Sequence, residues 1–169
     1  MVDIPNKNFL SPLNFRFQMK RAPYTDFFLQ SVTIPGITLP AIDTPNPLVR
    51  LPYAGDHLLY DELEITFKIQ EDLQNYLEIH NWLRSQGKLS VEEYAALSVI
   101  PSYTGEGLKS DISVTVLTSN KNPNYEFIFH DAFPISISSV DFSSVMEDVE
   151  YVNASASFRY TYFDIVKVT

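Results

Sequence analysis

Residues 54–83 read AGDHLLYDELEITFKIQEDLQNYLEIHNWL, and this stretch decides the fold. Leu63, Ile65, Phe67 and Ile69 alternate with Glu64, Thr66, Lys68 and Gln70. That period of two is the mark of a strand with one buried and one wet face. The period then lengthens. Leu73, Tyr76, Leu77, His80 and Leu83 recur at steps of three and four, and Ile79 and Trp82 widen the stripe, so an amphipathic helix is predicted. Glu71 and Asp72 precede it where a helix N-terminus favours acids, and Gly87 follows it where a helix ends.

Outward from this block the chain is mostly strand. Phe15, Phe17 and Met19 alternate with Arg16, Gln18 and Lys20, giving a first strand over residues 14–20. Residues 27–34 (FFLQSVTI) read as a second, ended by Pro35-Gly36, and the two are expected to pair as a hairpin or close neighbours. Ser90 with Glu93 forms a capping box before a short helix through Val91, Tyr94, Ala95 and Leu97. Residues 111–119, 125–130 and 135–142 read as further strands, with a turn at 120–124 (NKNPN) and a loop at 143–148. Residues 150–166 form one long alternation, with Val152, Ala154, Ala156, Phe158, Tyr160 and Tyr162 on its inner side. The fold class is therefore mainly β with one main α-helix: an antiparallel β sandwich or barrel, helix packed on the outside, in a single domain over 1–169.

Two segments stand apart. Residues 1–12 form an extended N-terminal arm broken by Pro5 and Pro12. Residues 37–57 carry Pro40, Pro45, Pro47 and Pro52, which exclude a helix or a central strand, yet they also hold Ile37, Leu39, Ile42, Leu48, Val49, Leu51 and Tyr53. This apolar, proline-rich loop either lies over the domain's own core or projects to pack on a neighbouring subunit.

Composition limits the function. Cysteine is absent, which excludes disulfides, thiol catalysis and cysteine-based zinc sites. The first residues lack a basic segment followed by an apolar run, so no secretory signal is expected, and no run is long enough to cross a bilayer. The net charge of −9 opposes a grip on nucleic acid, although a negative wall would let a nucleic acid slide past. His57 sits in a turn, His80 on the helix's apolar face as a packed imidazole, and His130 at a strand end without visible partners. The neighbouring acids Asp61-Glu62, Glu71-Asp72 and Glu92-Glu93 suit turns and caps better than a catalytic pair across a cleft. No catalytic or phosphate-binding motif occurs, so no catalytic, metal or cofactor-binding residue is assigned and no enzyme is expected.

The 54–83 block resembles the tail-tube proteins of contractile-tailed bacteriophages. The resemblance lies in the Ala54-Gly55-Asp56 turn, Tyr60-Asp61, the strand Leu63 to Ile69, the acidic turn Glu71-Asp72 and the helix with Trp82. The first strand, Ile34-Pro35-Gly36 with Leu39-Pro40, and the closing strand from Ala154 to Tyr162 agree in order. The resemblance implies a virion tail component, assembled in the host cytoplasm, whose homo-hexameric rings stack into a tube for DNA ejection. It further implies tail sheath, baseplate or neck proteins as partners, with DNA only as passing cargo and no membrane. The same fold forms the tube itself, its terminator or completion ring, and the baseplate ring that initiates it. The short, proline-interrupted N-terminal arm leaves open which of these is present. On this reading Phe9, Leu10, Leu48, Val49, Leu51 and Tyr53 are candidate inter-subunit contacts. Glu64, Thr66, Lys68 and Gln70 are candidates to face the lumen or a neighbour. A β-sandwich module for sugars or peptides is the alternative from another class, and it implies a monomer with an exposed aromatic cleft.

Overall fold

The computed structural model describes residues 9–45, 47–87, 90–101, 104–142 and 151–168. The loop expected at 143–148 and most of the N-terminal arm lie outside them. The alternating segments form strands: β1 (Phe15–Met19), β2 (Leu29–Thr33), β7 (Leu63–Lys68), β8 (Ser110–Leu117), β9 (Pro123–Ile137), β10 (Asn153–Arg159) and β11 (Tyr162–Lys167). Two short pairs, β3 (Ile37–Thr38) with β6 (Leu59–Tyr60) and β4 (Ala41–Thr44) with β5 (Leu51–Ala54), stand off the main sheet. The helices are α1 (Pro23–Phe28), α2 (Gln74–Gln86) and α3 (Val91–Val99). All pairings are antiparallel.

The hydrogen-bonded path runs β1-β8-β9-β10-β7-β2, with β11 on the other side of β9. The long strand β9 is what joins two sheets. Its first half lies between β8 and β11, and its second half pairs with β10. Between the halves Asp131 adopts a left-handed φ of 56°. The turn there re-aims the strand, as a bulge does. Two separate strands were expected here, with Pro134 as their boundary. Instead Pro134 lies inside β9 opposite Phe158, next to a bulge at which Ile135 of β9 is the extra residue between the partners of Ser157 and Phe158.

Inner faces meet in one core. Phe17 and Met19 from β1, Ile112 and Val114 from β8, and Phe129 from β9 pack with Ala154, Ala156 and Phe158 from β10 and Leu63, Ile65 and Phe67 from β7. The inward phase of the 63–69 block is thus as its alternation requires. Helix α2 covers this core, but with a different face from the one expected. Asn75, Ile79 and Trp82 are buried, while Leu73 and Leu77 are 39% and 40% exposed and His80 is only half-buried, beside the Tyr76 ring. Trp82 sets this rotation. Its Nε1 donates to the Leu108 carbonyl at 2.8 Å, its ring meets Phe158 at 5.8 Å, and the Arg21 guanidinium lies 5.3 Å above it. Arg21 also donates to the Gly107 carbonyl, and burial lowers its pKa. Asn75 can be buried because its amide donates to Lys68 O and its carbonyl accepts from the Gln70 N–H.

Three other expectations change. β1 and β2 are not a hairpin: they lie at opposite ends of the path, and α1 takes the first two residues, Phe27 and Phe28, of the segment expected as strand. The alternation over 150–166 breaks after Arg159, so β11 reverses phase; Phe163 packs on the core and Tyr162 is exposed. Glu71 and Asp72 lie just before the helix, with Leu73 as the N-cap residue and no side-chain cap. The Ser90 cap is present, its hydroxyl accepting from the Glu93 N–H at 3.2 Å, and Gly87 ends α2.

Candidate functional site

The proline-rich segment is a projecting two-stranded ribbon. In β4–β5, Ile42 faces Tyr53 and Thr44 faces Leu51; Ala41 with Ala54 and Asp43 with Pro52 alternate to the other side. One face is therefore bulky and apolar, the other small. Neither lies on the core. Ile42, Leu51 and Tyr53 are 58%, 42% and 58% exposed, and the tip residues Leu48 and Val49 are 91% and 62% exposed. A loop folded over its own core is thereby excluded.

The ribbon's root, in contrast, is fastened. Asp61 N–H donates to Gly36 O at 3.1 Å, and Gly55 N–H to Pro40 O at 2.7 Å. A Cβ on Gly55 would lie 2.5 Å from that carbonyl, which explains the glycine of the Ala-Gly-Asp turn. Tyr160 donates its hydroxyl to Asp61 O at 2.9 Å, and its ring meets Tyr60 and Phe163 edge-on. Desolvation, then the nearby Asp61 and Tyr60, pushes the Tyr160 pKa up to about 12, so it stays a donor throughout the neutral range.

A second surface lies on the outer side of β2, β7, β10 and the end of β9. Register places Thr33, Glu64, Ser157 and Ser136 in one row across four strands. The next row holds Ser31, Thr66 and Ser155, whose N–H donates to Ser138 Oγ at 2.9 Å. Lys68 and Asn153 follow. The face is mainly hydroxyl. Glu64, Thr66 and Lys68 lie together on it, whereas Gln70 lies past the strand end beside an apolar cavity. Phe9 and Leu10 are 100% and 71% exposed and border the β8–β9 turn, apart from the ribbon.

A carboxylate pair escaped the sequence because its members are far apart in the chain. Glu78 of α2 accepts from the backbone N–H groups of Tyr24 and Thr25 at 3.1 and 3.3 Å, capping the N-terminus of α1 that no side chain of its own caps. Asp26 Oδ2 accepts from Met19 N–H at 2.9 Å, while Oδ1 is buried without a hydrogen-bond partner among the described residues. Desolvation, with a smaller push from Glu78, raises the Asp26 pKa to about 7, and burial raises that of Glu78. His130 gains partners as well: Asp164 lies 3.3 Å from Nε2 and Asp111 3.9 Å from Nδ1, and the Asp111 carboxylate accepts from the Asp131 N–H. These contacts fasten the corner where β9 turns. Among the described residues no group of three His, Cys, Asp or Glu is placed to hold a metal.

A family model described as phage tail tube protein matches residues 5–166. The tail tube terminator protein of Enterobacteria phage T4 is 28% identical over 142 residues, covering 82% of this chain and 76% of that protein. Among solved structures, the cryo-EM anti-feeding prophage tube-terminating cap superposes with a TM-score of 0.62 at 13% identity, over 99% of this chain and 97% of that one. The anti-feeding prophage baseplate, 6-fold symmetrised, superposes equally at 0.62 and 12% identity, over 90% of each chain. At these identities the structural likeness speaks for the fold.

Proposed function

The chain belongs to the phage tail tube protein family, and from that premise we propose that it forms the ring that terminates a tail tube. As a member of that family it is a structural component of a virion tail, and no described helix is long and apolar enough to cross a membrane. The observation that carries the finer reading is the sequence relationship to a tube terminator. The fold cannot choose, because a cap and a baseplate match it equally well. The sequence relationship favours a terminating ring over the body of the tube.

The geometry supports a ring. Among the described residues β1, β2 and β11 are edge strands, each with one partner, and neighbouring subunits that continue the sheets would cover such edges. Six copies would set the hydroxyl face towards a common channel. There it offers DNA few cations to adhere to: Lys68 shares the face with Glu64, and Arg159 lies 4.0 Å from Glu62. The ribbon supplies the projecting element that a heterologous contact between rings needs. The role is structural and asks no catalysis of the chain; tube, sheath and neck proteins are its proposed partners.

The test adds the purified chain to tube protein assembling on baseplates. Shorter tubes, with the chain at the far end only, are expected. Incorporation along the tube would make it a tube-body protein, and location at the baseplate end an initiator.

A further inference from the structure

Helix α1 crosses from β1 to β2, the strands at the two ends of the hydrogen-bonded path, so whatever holds α1 sets how those ends are joined. Apolar burial does little of that holding. Of the six residues of α1 only Thr25 is buried, and Phe27 is 84% exposed. No residue of Pro23–Phe28 belongs to the core cluster. A helix this short is not stable by itself in water. Polar bonds from other elements hold it instead. Thr25 donates its hydroxyl to the Asn75 carbonyl of α2 at 3.2 Å, and Glu78 of α2 accepts from the Tyr24 and Thr25 N–H groups. Asp26 reaches back to accept from Met19 N–H at the end of β1.

Two of these fasteners are carboxylates, in surroundings that disfavour negative charge. Asp26 Oδ1 is buried without a hydrogen-bond partner among the described residues, so it has lost water without replacing it. The cleft of about 480 Å³ beside Asp26 is lined by Lys20, just past β1, by Asp111 of β8 and by Glu126 of β9, with His130 behind Asp111. Glu78 opposes the Asp26 charge from α2. Of the other nearby cations, Arg21 is engaged by the Gly107 carbonyl and the Trp82 ring, and Lys68, at the end of β7, by the Tyr151 ring. Desolvation accordingly holds the Asp26 pKa up at about 7, and burial raises that of Glu78.

We propose that Asp26 and Glu78 form a proton-dependent latch on α1: protonated, they keep α1 fastened to β1 and α2, and ionised, they let α1 open by itself while the core stays folded. In the opened segment Asp26 returns to water and to its ordinary pKa of 3.8. The closed form therefore binds the extra proton between 3.8 and about 7, so opening grows more frequent as pH rises through that window and levels off above it. The latch belongs to the single subunit and does not depend on which ring of a tail the chain forms.

Hydrogen exchange of the full chain, read by mass spectrometry and corrected for the intrinsic effect of pH on exchange, tests it. Peptides spanning Met19 to Phe28 should be protected at least about a hundredfold less than those spanning β7, the mark of local opening. Their protection should fall about tenfold or more from about pH 5 to about pH 7. Asp26→Asn, which keeps an acceptor for Met19 N–H, should remove most of that fall. Glu78→Gln, which keeps an acceptor for the α1 N–H groups, should reduce it. Protection of α1 equal to that of β7 would mean that α1 opens only with the whole molecule, and would overturn the latch. So would a pH-independent parent, a measurement that needs no variant, or a fall that neither substitution diminishes.

Discussion

At the scale of single residues, the fold spends stability on polar groups that hold α1 in place. Asp26 anchors the end of β1 through Met19 N–H, yet its other oxygen is buried without a hydrogen-bond partner among the described residues and Glu78 is close enough to oppose its charge. Its folded pKa of about 7 lies above the unfolded value of 3.8. Between those values the folded state binds the extra proton, so stability falls as pH rises through this window and levels off above it. Glu78 shifts in the same direction. Asp26→Asn keeps an oxygen for Met19 N–H and removes the charge. We expect the variant to melt higher than the parent at pH 8, and the difference to shrink towards pH 4 because the parent's Asp26 is then neutral. Thermal melts across that range check it; parallel curves for parent and variant would refute the assignment.

At the scale of elements, the ribbon and the core are energetically separate. Deleting Leu48 to Tyr53 removes only side chains that are at least 42% exposed where their exposure is described and that do not contribute to the core cluster. The shortened chain should fold and melt within a few degrees of the parent, yet fail to cap or stack on tubes in electron micrographs; tube lengths like those made with the parent would count against the ribbon as the docking element. The segment was legible in the sequence only as one that four prolines keep out of a helix or a central strand; whether it covers the core or projects, and the β4–β5 pairing that makes it a ribbon, were not. β7 was legible, because its alternation directly reports which side is buried. What the sequence concealed depends on distant partners. The α2 stripe was rotated because counting apolar residues cannot know that Trp82 finds the Leu108 carbonyl or that Asn75 is satisfied by Lys68 and Gln70. The β1–β2 hairpin failed for the same reason: β1 chose β8, about a hundred residues away in the chain. The Asp26–Glu78 pair is likewise assembled from segments that the sequence keeps apart.

At the scale of the whole molecule, the net charge of −9 has a consequence for assembly. The proposed ring would place identical acidic subunits side by side, so long-range repulsion would oppose its closure. The described ion pairs do little to offset it: Arg159 with Glu62 at 4.0 Å is exposed, and His130 contributes only when protonated. Apolar and strand-edge contacts would then hold the proposed ring, and those are not weakened by salt. Raising the salt from about 0.05 to about 0.5 M shortens the screening length from roughly 14 to 4 Å. Ring formation should therefore increase with salt at fixed protein concentration, the reverse of what a phosphate-binding protein shows towards its ligand. Sedimentation velocity across that salt series measures the ring fraction. Rings that fall apart as salt rises would mean that ion pairs between subunits dominate, and that the apolar surfaces left exposed on this subunit face something other than its neighbours.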